Sequence, residues 1–124
     1  MVDGTKNELV GNSNLVDGDC NQLAGDKNAV SGSGNYLVGD KNGVIGNCNY
    51  LNGHENNIVG SQNTLQGSYN DIVGSVNTVV GNDNDVLGGC NTIFGSDNNA
   101  YGDLNNILGN GNTASGVANT QIGD

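Results

Sequence analysis

The apolar positions of this chain recur every seven residues, and each stands alone. Val2, Leu9, Val16, Leu23 and Val30 open a column that stays Val, Leu or Ile as far as Ile93 and returns at Ile107. It weakens only at Ala100, Ala114 and Gln121. Around each member the period is two: Asn, an outward residue, the inward residue, an outward residue, then Gly. Asn fills every position divisible by seven from Asn7 to Asn119, and Gly every seventh position from Gly4 to Gly123. The phrase N-x-[V/I/L]-x-G-x-x, as in Asn77-Thr-Val-Val-Gly81, runs on without insertion or deletion. An unbroken internal repeat decides the fold class before any other feature.

A heptad suggests a coiled coil, and the residues forbid one. A coiled coil needs two apolar seams per heptad and good helix formers. This chain offers one seam and a Gly in every heptad, each costing a helix about 1 kcal/mol relative to Ala. Local alternation around a single Val, Leu or Ile predicts a short strand instead. The Gly-x-x-Asn segment supplies the turn, Gly through its backbone freedom and Asn through its tolerance of turns and bonds to its own backbone. One such strand cannot bury its apolar side chain, but two back to back can. Two heptads therefore make a coil of 14 residues. The prediction is all-β: a β-solenoid, or β-roll, of about nine coils and two flat parallel sheets, roughly 40 Å long at ~4.8 Å per coil. With no break in the period, residues 1–124 read as one domain.

One aliphatic residue per heptad is a thin core. Burial alone cannot offset the entropy of ordering so much backbone. The rest must come from backbone ladders and from the Asn column, since an amide offers both donor and acceptor to the coils above and below. Asp in the same register would stack like charges.

Charge narrows the partners. Three Lys, no Arg and 13 acids give a formal net charge of −10. That disfavours nucleic acid and anionic membrane, because little could neutralise phosphate. No apolar run is long enough for a transmembrane helix. Met1-Val-Asp-Gly4 starts inside the repeat, so no signal peptide is visible, although a removed one is compatible with the chain. Cys20, Cys48 and Cys90 all precede an Asn on one edge of the coil, two and three coils apart. At ~4.8 Å per coil the nearest pair exceeds the ~7 Å limit for a bridge. They are expected to be free thiols, and not a metal site.

No catalytic constellation appears, and the chain is not expected to be an enzyme or to carry a cofactor. His54, beside Glu55, reads as a solvated turn residue. Gly88-Gly89 belongs to the repeat and continues no phosphate loop. Asp71, Asp83, Asp85 and Asp97 do not follow a calcium-binding phrase. Lys27 and Lys41 stack as a solvated charge ladder beside Asp26 and Asp40.

The outward positions distinguish the two faces. After Asn7, Asn21, Asn35 and their successors come Glu8, Gln22, Tyr36, Tyr50, Thr64, Thr78, Thr92, Asn106 and Thr120. The opposite face carries Asp71 and Asp85 at the equivalent place. Thr64, Thr78 and Thr92 fall on successive coils. Thr is a good β residue on any exposed strand, which is one reading of that column. The other is an uncharged array of methyls and hydroxyls at a fixed spacing, able to order water. Ice is a partner that repeats in the same way.

The phrase, as in Asn77-Thr-Val-Val-Gly81 and Asn112-Thr-Ala-Ser-Gly116, closely resembles the repeat of the ice-recrystallisation-inhibition (antifreeze) proteins of cold-tolerant grasses, and the resemblance covers the whole chain. It implies a left-handed β-roll, an internal Asn ladder, secretion to the apoplast and one flat face that adsorbs to ice as a monomer. By carry-over, Thr64, Thr78, Thr92 and Thr120 with Val80 would contact ice. Glu8, Tyr36, Tyr50, Gln66 and Phe94 depart from the family's outward positions. The alternative is a structural or adhesive solenoid, similar to the trimeric heads of bacterial autotransporter adhesins, with Tyr36 and Tyr50 contacting protein or glycan.

Overall fold

Each heptad forms one short strand, of three residues in all but the two-residue first, and its Val, Leu, Ile or equivalent side chain points inward. The computed structural model describes residues 1–124. Its strands begin with β1 (Val2–Asp3), β2 (Glu8–Val10), β3 (Leu15–Asp17) and β4 (Gln22–Ala24), and recur every seven residues to β17 (Thr113–Ser115) and β18 (Thr120–Ile122). Successive strands go to opposite sheets. One nine-stranded sheet takes β1, β3 and so on to β17, and the other takes β2, β4 and so on to β18. Every pairing is parallel and joins a residue to the one 14 further on, as in Leu23 with Leu37 and Val16 with Val30. The all-β solenoid of about nine 14-residue turns is therefore the observed fold. We call the sheet of β2 to β18 the threonine sheet, and its partner the aspartate sheet.

The core is a single file of fifteen buried side chains from Val16 to Ala114. Its membership differs from the fifteen aliphatic positions of the sequence. Ala100 and Ala114 are inside, whereas Val2 is half exposed and Leu9 only partly buried. β1 and β2 are end strands of their sheets, each paired on one side only, so their inward residues are less enclosed than those further along. At the other end Gln121 turns inward and donates through Nε2 to the Thr113 carbonyl at 2.8 Å.

Beside this file run two stacks of asparagines, one along each edge, with Asn14 to Asn105 buried. Their hydrogen bonds lie mainly between coils. Asn49 Oδ1 accepts the backbone N–H of Asn63 at 3.0 Å and one side-chain N–H of Asn63 at 3.1 Å. Asn49 Nδ2 donates onward to the Gly60 carbonyl at 2.8 Å. The expectation that Asn bonds its own backbone in a turn is corrected here: the side chain mostly satisfies the next coil, and the left-handed backbone falls elsewhere. Buried backbone groups must be paired. In a chain this thin the Asn amide pairs those that the sheets do not reach.

Left-handed φ values occur at Gly and at the residue before each Asn. Gly67, at φ 137°, shows why the first must be Gly: a Cβ there would fall inside the carbonyl of Gly81 in the next coil. The second position is Gly only at Gly34 and Gly111, and elsewhere includes Cys20, Lys41 and Val76, at φ 59°, 58° and 63°. For L-residues this conformation costs roughly 1–2 kcal/mol.

A further ladder was not foreseen from the sequence. The residue after each repeat Gly is Asp, Asn, Ser, Thr or His except at Gly89 and Val117. Its side chain accepts the N–H of its counterpart one coil earlier. Asp19 Oδ1 accepts from Thr5 N–H at 2.6 Å, Asn47 Oδ1 from Ser33 N–H at 2.8 Å and Asp103 Oδ1 from Gly89 N–H at 2.7 Å. His54 is exposed, as expected, yet it also belongs to this ladder. Its Nδ1 lies 3.2 Å from the Asp40 nitrogen and 3.5 Å from Asp40 Oδ2. Nδ1 accepts the Asp40 amide.

Candidate functional site

The outward faces of both sheets are open. Parallel sheets elsewhere are almost always covered on both sides, so two uncovered faces are the natural places to look for function. They differ in charge. Of three lysines and 13 acids, only Glu8 occupies an outward strand position of the threonine sheet. The aspartate sheet carries Asp3, Asp17, Asp71 and Asp85 outward. Most of the remaining charge lies in the turns, where Lys41 Nζ meets Glu55 Oε1 at 2.7 Å one coil on. That contact holds the Lys41 ammonium above its ordinary pKa, mainly through the hydrogen bond and then through the charge of Glu55.

On the threonine sheet, β10 (Thr64–Gln66), β12 (Thr78–Val80) and β14 (Thr92–Phe94) are adjacent and in register. Thr64 pairs with Thr78, and Thr78 with Thr92. Val80 stands between Gln66 and Phe94 in the neighbouring column. Thr64, Thr78, Val80 and Thr92 thus form one block. Thr120 is set apart from it by Asn106, on β16 (Asn106–Leu108). Tyr50 closes the block on the other side. Thr78, Val80 and Thr92 are half-buried by their neighbours and Thr64 is exposed.

The equivalent block on the aspartate sheet is charged and bonded to itself. Asn57 Nδ2 donates to Asp71 Oδ1 at 3.2 Å, and the Tyr101 hydroxyl donates to Asp85 Oδ2 at 3.1 Å. That bond and the Asp85 charge raise the pKa of Tyr101, because both favour the protonated phenol. A charged face binds its own hydration tightly and costs more to strip of water than a neutral one.

No group of three His, Cys, Asp or Glu side chains is placed to hold a metal ion. Cys20, Cys48 and Cys90 are free and exposed. No helix is long and apolar enough to cross a membrane. What the geometry provides is an extended, repeating, nearly uncharged surface on a scaffold fixed from inside by the Asn and Gly columns.

The family model described as grass antifreeze beta roll matches residues 1–95 and again residues 31–124, together spanning the chain. No curated protein matches it significantly.

Proposed function

The chain belongs to the grass antifreeze β-roll family, which gives it an ice-binding role in general; from that premise we propose that it adsorbs to ice through the threonine sheet and inhibits ice recrystallisation. The observation that carries this reading is the distribution of charge. In a chain of net charge −10, the threonine sheet carries one charged outward side chain, Glu8, at its end. Beyond it, the face consists of hydroxyls, amides, aliphatic and aromatic groups.

Thr64, Thr78, Val80 and Thr92 are the proposed contact block, with Thr120 as an outlying contact. Their spacing is set by the strands, ~4.8 Å from rung to rung. Methyl groups favour cage-like water and hydroxyls anchor it, so the block can hold a water layer that joins a lattice. Three adjacent rungs add up where a single rung would be weak. The partner is the ice surface, the active species is a monomer, and the place of action is extracellular, the apoplast in a plant.

The test is ice-grain growth in frozen solution held just below melting with dilute protein. Grains that stay small support the proposal. Grains that coarsen as they do in buffer overturn it and return the chain to the adhesive-solenoid reading, for which sedimentation would show a trimer.

A further inference from the structure

Tyr36 and Tyr50 occupy adjacent rungs on β6 (Tyr36–Val38) and β8 (Tyr50–Asn52). Their rings stack with centroids 5.2 Å apart and planes 3° from parallel. Tyr50 covers one face of Tyr36. The other face looks toward β4, where Gln22 is the paired neighbour of Tyr36 in the same column and Ala24 stands in the second column between Val10 and Val38. The short Ala24 side chain leaves a depression of about 200 Å³, walled by Tyr36 and rimmed by Glu8, Val10 and Gln22. Gln22 Nε2 donates to Glu8 Oε2 at 3.0 Å. That bond ties the two head groups together. It leaves the second Glu8 oxygen and Gln22 Oε1 as acceptors, and one Gln22 N–H as a donor.

We propose that this depression binds a neutral pyranose ring, as a terminal or internal residue of an uncharged glycan. The electron-rich face of Tyr36 suits the weakly positive C–H face of a sugar. Gln22 holds the next place in the Tyr50–Tyr36 column, so the sugar ring would lie over Ala24, against the part of Tyr36 that borders the depression. Neighbouring hydroxyls would donate to Glu8 and Gln22, and Ala24 with the buried Leu23 beneath it forms an apolar floor. An aromatic wall with a few convergent polar groups at its edge is the usual make-up of a small-ligand site. Glu8 and the net charge of −10 disfavour an acidic sugar. A planar aromatic ligand could use the stack, but would leave the polar rim unpaired, which is costly. The site stands apart from the proposed ice-contact block, with the Tyr50 rung between them, and does not depend on that reading.

The experiment is amide-shift NMR titration of the full chain with cellohexaose and with mannohexaose, alongside a galacturonate hexamer and indole. Binding by either neutral oligosaccharide, with shifts confined to β2, β4 and β6 and saturation transfer to the sugar C–H protons, is the expected result. Ala24→Leu, which fills the depression on an outward strand position, should raise Kd at least about tenfold. Tyr36→Ala should do the same, and circular dichroism and thermal midpoints check both folds. If Tyr36→Ala disturbs the rod, Ala24→Leu decides alone. Absence of shifts with both neutral sugars, equal binding by the galacturonate, binding by indole in place of sugar, or unchanged affinity in Ala24→Leu overturns the proposal.

Discussion

Asn63 Oδ1 accepts the backbone N–H of Asn77, 14 residues and one coil further on, at 3.0 Å. The same oxygen accepts a side-chain N–H of Asn77 at 3.1 Å, while Asn63 Nδ2 donates to the Gly74 carbonyl at 2.9 Å. One side chain therefore satisfies a buried N–H and a partly buried carbonyl on the following coil. Asn63→Ala leaves the Asn77 N–H and the Gly74 carbonyl unpaired. Each unsatisfied buried group costs about 1–3 kcal/mol, so a loss of about 3 kcal/mol in urea unfolding is expected. A loss under about 1 kcal/mol would show that the ladder is dispensable.

Asn63→Asp separates the donor from the acceptor. The carboxylate can still accept from Asn77 but faces the Gly74 carbonyl without a proton. Burial raises the pKa of such a group. Protonated, it donates to Gly74, so stability is present at low pH and lost as pH rises through the raised pKa. A variant less stable at neutral than at acidic pH is the expected result, and an unchanged difference from the parent across that range would contradict the assignment.

Val76 holds φ 63° with a β-branched side chain, the worst type of residue for left-handed backbone. Its N–H still bonds the Ser61 carbonyl at 3.0 Å, so the ladder imposes the conformation. Gly34 and Gly111 show that this turn accepts Gly. Val76→Gly or Val76→Asn should raise stability by about 1 kcal/mol, read as an upward shift in thermal midpoint. No shift would mean that the exposed Val side chain contributes as much by packing as its backbone costs.

The coil, its length and the inward column were legible because a strict period leaves one way to alternate faces. Val79 is inward between Thr78 and Val80 for the same reason that Val2 and Leu9 are, yet only Val79 is fully buried. Burial depends on having coils on both flanks, which a repeat read residue by residue does not express. The turn ladder was missed although its signal is present: Asp, Asn, Ser and Thr after Gly look like ordinary loop polarity until the 14-residue pairing of Thr5 with Asp19 gives each a partner. The Tyr36 depression depends on the small size of Ala24 one rung away, a contrast between neighbours that the column alone does not reveal.

Asp19 gives the first turn a pH dependence. Its carboxylate accepts the Thr5 N–H and the Thr5 hydroxyl, which hold its pKa below the ordinary carboxylate value, with the Lys6 charge adding to the effect. A folded pKa below the unfolded one means that the contribution is full above the unfolded value and is lost as pH falls through the folded value. The Thr5 amide should exchange faster with solvent below that point, relative to its intrinsic rate. Asp19→Asn keeps an acceptor without a charge, as Asn47 does for Ser33, and should remove this acid limb. Persistence of the limb in the variant would assign it to another group.

The two faces can be tested against each other at matched positions. Thr78 lies between Thr64 and Thr92 on the threonine sheet, and Asp71 pairs with Asp85 on the aspartate sheet, both at the first outward place of a strand. Each side chain points away from the core, so Thr78→Tyr and Asp71→Tyr should leave the thermal midpoint nearly unchanged, as surface changes do. On the proposed reading only Thr78→Tyr lifts its face off a lattice by the height of a ring. The protein concentration that halts ice-grain growth should then rise at least about tenfold for Thr78→Tyr, a loss of at least ~1.4 kcal/mol in adsorption if the change is in affinity. Asp71→Tyr should match the parent. The reverse ranking would place the contact on the aspartate sheet, and equal losses would mean that neither face acts alone.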